Sequence, residues 1–341
     1  ITGLVGSEMC IRDRDNDGDL DIVSGSNTHN SSATELGHIN LYENDGASDP
    51  TWTKTTIDSY IPGYFVELAD IDSDGDLDIV SASKNPYGTT TYIDWYENDG
   101  AATWTPAFTA ADINISANVA RDLHIADIDS DGDLDIISAS SGDNTIAWYE
   151  NDGAANPSWT AADISTTADG ARNVFVADID SDGDLDIVSA SHDDDTIAWY
   201  ENDGNSDPSF TKNVISTSAD GARGVHIADI DSDGDLDIVS ASRIDNKIAW
   251  YENDGAANPS WSTTTIATSA AGARDIHIAD MDNDGDLDIV SASSGDDTIA
   301  WYENDGAANP SWTATDIATT ADGARDVYVS DLDNDGDLDI V

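Results

Sequence analysis

Aspartate is the residue through which this chain could do chemistry. The string Asp-x-Asp-x-Asp-Gly-Asp-Leu-Asp-Ile begins at Asp13, Asp70, Asp127, Asp178, Asp229, Asp280 and Asp331, at spacings of 57, 57, 51, 51, 51 and 51 residues. In the copy at Asp178, carboxylates fall at positions 1, 3, 5 and 9 (Asp178, Asp180, Asp182, Asp186), with Gly183 at position 6 and the backbone carbonyl of Asp184 at position 7. Alternate residues of a tight loop can aim their oxygens at one centre, and glycine permits the sharp turn. A hard cation with about six to eight oxygen ligands is wrapped in this way. Calcium suits such a donor set. Magnesium prefers fewer protein carboxylates and stricter geometry, and zinc or copper would want His or Cys, which the loop lacks. The loop differs from an EF-hand, because position 12 is Ser189 rather than Glu and strands are expected on both sides.

The candidate metal residues are the five aspartates of each string: Asp13, Asp15, Asp17, Asp19 and Asp21; Asp70, Asp72, Asp74, Asp76 and Asp78; Asp127, Asp129, Asp131, Asp133 and Asp135; Asp178, Asp180, Asp182, Asp184 and Asp186; Asp229, Asp231, Asp233, Asp235 and Asp237; Asp280, Asp282, Asp284, Asp286 and Asp288; and Asp331, Asp333, Asp335, Asp337 and Asp339. The plain alternative is a solvated acidic turn. Seven recurrences weigh against it, because four neighbouring carboxylates would repel by roughly 1 to 4 kcal/mol per pair without a cation. Up to seven Ca²⁺ are therefore expected, one per string, which would bring the net charge from −58 to −44.

Strands must position these loops. A second marker, Tyr-Glu-Asn-Asp-Gly, starts at Tyr42, Tyr96, Tyr149, Tyr200, Tyr251 and Tyr302, between successive acidic strings. Within the period covering residues 172–219, the pattern predicts strands at 174–177, 185–189, 196–201 and 210–215. β-branched and aromatic residues fill them, and Asn202-Asp203-Gly204 is a hairpin turn signal. Four short strands at a period near 50 predict an all-β fold, a β-propeller of six to seven four-stranded blades with incomplete end blades. The blades are expected at about 15–60, 61–117, 118–168, 169–219, 220–270 and 271–320, with a partial one at 321–341, in a single domain of residues 15–341. Met9 to Arg14 resembles a translated sequencing adapter. Residues 1–14 are therefore set apart as non-native, which puts the first metal site in doubt.

Composition narrows the partners. The 341 residues carry 70 Asp+Glu against 12 Lys+Arg, a balance that repels phosphate backbones and argues against nucleic acid as a partner. Apolar runs such as Leu134 to Ile137 are far shorter than the roughly 20 residues needed to cross a bilayer, so no membrane insertion is expected. The single cysteine cannot form an internal disulfide, so packing or bound ions must supply stability.

The strings Ala-Asp-Ile-Asp-Ser-Asp-Gly-Asp-Leu-Asp-Ile-Val-Ser-Ala-Ser (69–83) and Ile-Ala-Trp-Tyr-Glu-Asn-Asp-Gly (146–153) resemble FG-GAP, or VCBS-type, repeats. These are the calcium-binding blades of integrin-α-like propellers, common in secreted bacterial surface proteins. The resemblance covers nearly everything from Asp15 onward. It implies that the calcium loop joins the first and second strands on the lower face and that ligands tend to meet the upper face.

Two loop sets lie opposite the calcium loops. One repeats: Arg121, Arg172, Arg223, Arg274 and Arg325 each stand six residues before a string, a place taken by Tyr64 in the second copy. They are the candidate ligand-binding residues, a basic collar for an anionic polymer such as an acidic polysaccharide. The alternative is an ion pair to a neighbouring blade through residues such as Asp169 or Asp220. The other set varies: residues 24–38, 84–92, Ser141-Gly142, His192-Asp193, Arg243-Ile244 and Ser294-Gly295. Varied loops on a constant scaffold are where recognition usually sits, although drift at unconstrained positions would look the same. His124, His226 and His277 share a strand position with Phe175, Tyr328 and Glu67, which suggests packing rather than ligation. The repeated Trp residues, such as Trp148 and Trp159, are expected to fill space between blades.

No Gly-x-Ser-x-Gly, His-Glu-x-x-His or phosphate-binding glycine loop is present, so catalysis has little support. The expectation is a secreted or cell-surface calcium-binding module that recognises a surface glycan or an extracellular protein. The alternatives are the propeller of a polysaccharide-degrading, lyase-like enzyme and a spacer in a large surface protein. Calcium sites of the extracellular class, with Kd on the order of 10⁻⁴ to 10⁻³ M, fill outside cells, which favours that location.

Overall fold

The structure, a computed structural model, describes residues 9–26, 37–47, 49–59, 63–84, 91–98, 111–114 and 117–341. Among these, six four-stranded antiparallel sheets follow one another, each paired strictly in chain order, and a two-stranded sheet ends the chain at Val329–Ser330 and Asp339–Ile340. The chain is all-β, with the blade architecture of a β-propeller. Two compact units hold the blades. One comprises Ile1–Asp127, Gly132–Thr166 and Ser330–Asp339; the other comprises Ile128–Asp131, Thr167–Val329 and Ile340–Val341.

The fourth blade shows why the sequence folds this way. Its strands are Ala171–Ala177, Asp186–Ser191, Thr196–Asn202 and Phe210–Ser216. They start within three residues of the sequence expectation and reach up to two residues past its ends, because ladder pairing continues from Ala177↔Asp186 to Ala171↔Ser191. The second strand, Asp-Ile-Val-Ser-Ala-Ser, is buried at every residue, as a strand covered on both faces must be. No residue of the fourth strand is buried, which its Thr, Lys and Asn tolerate. A register shift recurs between the third and fourth strands at Ile146/Ala147, Ile197/Ala198, Ile248/Ala249 and Ile299/Ala300. Such bulges increase local twist.

The core lies between blades. Val188, Ile197 and Trp199 of the fourth blade pack with Ala219, Ala222, Val225 and Ile227 of the fifth, and Trp261 closes the same cluster from its side. Trp159 packs likewise against a cluster in the first unit. The repeated Trp thus fill the gap between sheets, at roughly 1.5 to 3 kcal/mol per large side chain buried. The histidine position also packs. Ring centroids run from Phe175 to His226 at 4.8 Å, to His277 at 5.5 Å and to Tyr328 at 4.7 Å. Burial pushes His277 down to about 4, so it is neutral near pH 7.

One boundary differs from the sequence expectation. Although the sequence reading starts the domain at residue 15, Met9–Arg12 is the first strand of the first blade, pairing Cys10 with Val23 and Ile11 with Ile22. Cys10 and Ile11 are buried, so two apolar residues meet the need of that sheet for a covering strand. Of the varied loops, residues 27–36 and 85–90 lie outside the described residues.

Candidate metal centres

Each acidic string turns between the first two strands of its blade, and two left-handed residues bend it. Position 4 has φ between 56° and 60° in all seven copies (Asn16, Ser73, Ser130, Ser181, Ser232, Asn283, Asn334), and the position 6 glycine has φ between 95° and 102°. Asn at position 4 of the first, sixth and seventh copies suits that conformation, whereas Ser in the other four marks it less. The signal was available only as their restriction to short polar types that tolerate it.

The turn then locks itself through its own carboxylates. Asp178 accepts the N–H of Asp182 on Oδ1 and that of Gly183 on Oδ2, both at 3.0 Å. Asp182 Oδ1 accepts the N–H of Asp184 at 3.0 Å. Asp186, buried at the start of the second strand, accepts Ile179 N–H at 3.1 Å and Asn202 N–H at 2.8 Å. The same pattern recurs at Asp229, Asp233 and Asp237 and at Asp280, Asp284 and Asp288. It recurs through Asp70, Asp74 and Asp78, through Asp13, Asp17 and Asp21, and through Asp331, Asp335 and Asp339 in the last string. In the string at Asp127 the residues divide between the two units; Gly132 N–H reaches Asp127 at 3.1 Å and Asn151 N–H reaches Asp135 at 2.8 Å.

Position 3 is different. Oδ1 of Asp72, Asp180 and Asp231 is buried and has no hydrogen-bond partner. One oxygen each of Asp178, Asp180 and Asp186 lies within 4.8 Å of the others, and Asp229, Asp231 and Asp237 repeat the group. In the strings at Asp13 and Asp70 the residues so gathered are Asp13, Asp15 and Asp17, and Asp70, Asp72 and Asp74. The position 7 carboxylates point elsewhere. A side chain at Gly46, Gly153, Gly204, Gly255 or Gly306 would land within about 2 Å of Asp19, Asp133, Asp184, Asp235 or Asp286, so these carboxylates rest on the hairpin turn.

Electrostatics marks the gathered carboxylates as costly. Burial pushes Asp78, Asp186 and Asp237 up to about 7 and Asp21 to about 6, against partial relief from the backbone N–H groups they accept. The Trp199 indole nitrogen points toward Asp186 without meeting hydrogen-bond geometry. Asp72, Asp180 and Asp231 are also raised, by burial and then by the neighbouring position 5 carboxylate. A buried acceptor with no donor, among oxygens that repel one another, fits a hard cation. These clusters could hold a metal ion.

The Asn of Tyr-Glu-Asn-Asp-Gly carries a role that the sequence did not reveal. Asn253 Nδ2 donates to Leu236 O in its own string at 3.1 Å and to Ile179 O in the preceding string at 3.0 Å. Asn151, Asn202 and Asn304 do the same toward Ile71, Ile128 and Ile230. Asn44 reaches Leu332 O at 3.0 Å, so the seventh string stands to the first blade as each string stands to the next.

The arginines are spread along the crossovers. Arg121 Nε donates to Ser141 Oγ at 3.0 Å and Arg274 Nε to Ser294 Oγ at 2.7 Å, while Arg172 and Arg223 are half-buried and Arg325 is exposed. Arg274 and Arg325 line one hollow together with Arg243.

Comparison with known proteins places this arrangement. The chain is similar over its full length to a structure of Pseudomonas aeruginosa periplasmic gluconolactonase, PpgL, at TM-score 0.59 and 13% identity, covering 98% of this chain and 88% of that one. At such identity the likeness concerns the fold. A structure of BBS1N in complex with ARL6DN matches at TM-score 0.49 and 10% identity, over 86% of this chain and 78% of that one. No curated protein sequence matches. The description FG-GAP-like repeat matches residues 13–81, 70–138, 127–189, 178–240, 229–291 and 280–341, so that each match runs from one acidic string through the next. Because these matches span nearly the whole chain and begin on the loops whose geometry is given above, the chain belongs to the FG-GAP-like repeat family.

Proposed function

We propose that the acidic loops bind Ca²⁺ and that the protein acts outside the cell as a calcium-stabilised recognition module for a surface glycan or an extracellular protein, binding rather than catalysing. The observation that carries the metal reading is the unpartnered, buried Oδ1 of Asp72, Asp180 and Asp231, set among oxygens that already repel one another. Oxygen-only donors and a loop donating one backbone carbonyl favour calcium over zinc or copper. Calcium sites of the extracellular class, with Kd on the order of 10⁻⁴ to 10⁻³ M, would fill outside the cell, in keeping with that location.

Calcium uptake measured by elemental analysis after equilibrium dialysis tests the metal. Near-stoichiometric filling is expected, with Asp180→Asn lowering the count by one ion. No uptake, with melting unchanged by a chelator, would end the reading. A glycan array run with and without calcium tests recognition, and an empty array in both states would leave a spacer.

A further inference from the structure

In the second unit, an open hollow of about 530 Å³ runs between the turn at 243–246, the crossovers at 271–274 and 323–325, and the turn at 294–295. Seventy of the 341 residues are acidic, yet none lines it, whereas Arg243, Arg274 and Arg325 do. Three of only twelve basic residues therefore meet at one cavity of ligand size. The side chains of Arg243 and Arg325 are exposed and have no ion-pair or hydrogen-bond partner among the described residues. Arg274 is oriented by Ser294 Oγ at 2.7 Å.

The hollow is built by departures from the repeat. One repeat earlier, Ile244 covers the crossover glycine, so closely that a side chain on Gly221 would meet Ile244 Cγ1 at 2.6 Å. In the hollow the residue at that place is Gly295, so backbone rather than an isoleucine side chain lies over Gly272, with Gly295 N 3.0 Å from where a Cβ on Gly272 would sit. The floor is backbone, held by Gly295 N–H to Ala271 O at 2.8 Å and Ser294 N–H to Gly272 O at 3.2 Å. The turn that supplies Arg243 has His192 at the matching place in the fourth blade, where His192 is bonded to Asp193. Two of the nearby acids are engaged elsewhere: Asp245 pairs with Lys247 at 2.6 Å, and Asp297 accepts Gly323 N–H at 2.8 Å.

We propose that this hollow binds one compact oxyanion, a carboxylate, sulfate or phosphate group, carried on an otherwise uncharged molecule. Two or three guanidinium forks match the planar or tetrahedral oxygens of such a group. The carrier is uncharged because the surroundings are not: exposed Asp296 and Asp322 adjoin the lining residues Gly295 and Gly323, and the chain carries −58. A long polyanion would be repelled wherever it left the cavity. Ile244, 54% exposed, offers the carrier an apolar wall.

The inference deepens the recognition role proposed above and rests on it for the kind of ligand, but not on ions in the loops. Titration calorimetry of the full chain at physiological salt would use galacturonic acid, galactose 6-sulfate and inorganic phosphate as probes, with galactose and a heavily sulfated dextran beside them. At least one of the three anions should bind and galactose should not. Arg243→Ala and Arg325→Ala, both at exposed positions, should each weaken binding about tenfold or more, and Lys212→Gln should leave it unchanged. No anion binding, equal affinity in the arginine variants, or binding of the polymer alone would overturn the proposal. Calcium titrated into the same samples separates the two readings: uptake without anion binding removes only the oxyanion site, and anion binding without uptake removes only the metal.

Discussion

At the scale of single residues, the position 9 aspartates set the response to pH. Asp186 has its folded-state value raised by burial from 3.8 to about 7, so the ion-free native state holds a proton that the unfolded chain has released between those values. Stability from this group is full below about pH 4 and is lost as pH rises through 7. Asp78 and Asp237 add to the same trend. Scanning calorimetry of chelated protein should therefore show a melting temperature that falls from pH 4 to pH 8, and saturating calcium should abolish or reverse the slope, because the ion replaces the protons. A slope indifferent to calcium would mean that general charge repulsion, not these carboxylates, sets it. Asp186→Asn offers one acceptor oxygen to two backbone N–H groups and sets its own amide hydrogens against the other. It should cost about 1 to 3 kcal/mol in urea unfolding of the calcium-free protein above its titration range.

At the scale of elements, the loop and the hairpin turn are one device. The Asp turn needs a left-handed glycine, and the hairpin needs another to make room for the position 7 carboxylate. Gly183→Ala, at φ 101°, should destabilise by about 1 to 3 kcal/mol and reduce calcium uptake by one ion, because the loop can no longer close on its centre. Asn253 joins the two strings on either side of it. Asn253→Asp keeps the size but loses both donors, and places a carboxylate against the carbonyls of Leu236 and Ile179. Chemical denaturation should show a loss of about 1 to 3 kcal/mol or more, and a loss no larger than for an exposed strand position would show that the bonds do not matter.

For the whole molecule, charge sets the response to ions. A net −58 over 341 residues opposes any compact state, and seven calcium ions would remove fourteen units of it. Each site filled to a hundred times its Kd adds about 2.7 kcal/mol. The melting temperature should therefore keep climbing with the logarithm of the calcium concentration even after the loops fill. Sodium chloride near 1 M, where the screening length is about 3 Å, should recover part of that rise in chelated protein by screening alone. Equal effects of calcium and of matched ionic strength would argue against specific sites.

The amino-acid sequence by itself determined the repeat, the strands and the acidic loop, because each depends on residues close together along the chain. Short β-branched and aromatic runs, Asn-Asp-Gly turns and the 1-3-5-9 aspartates are local patterns, and the structure keeps them. Tertiary structure decided what depends on copies meeting. The amide of Asn202 finds Ile128 O, 74 residues away, and nothing near Asn202 in the sequence names that partner. Packing also left Asp180 Oδ1 buried without a donor, and it set the Asp184 carboxylate, of which the sequence reading used only the backbone carbonyl, onto Gly204. Arg274 and Arg325 were legible as a repeated position. Arg243 was only part of a varied turn, and its place beside them follows from two turns and two crossovers of successive blades meeting at one hollow, which has no local signature.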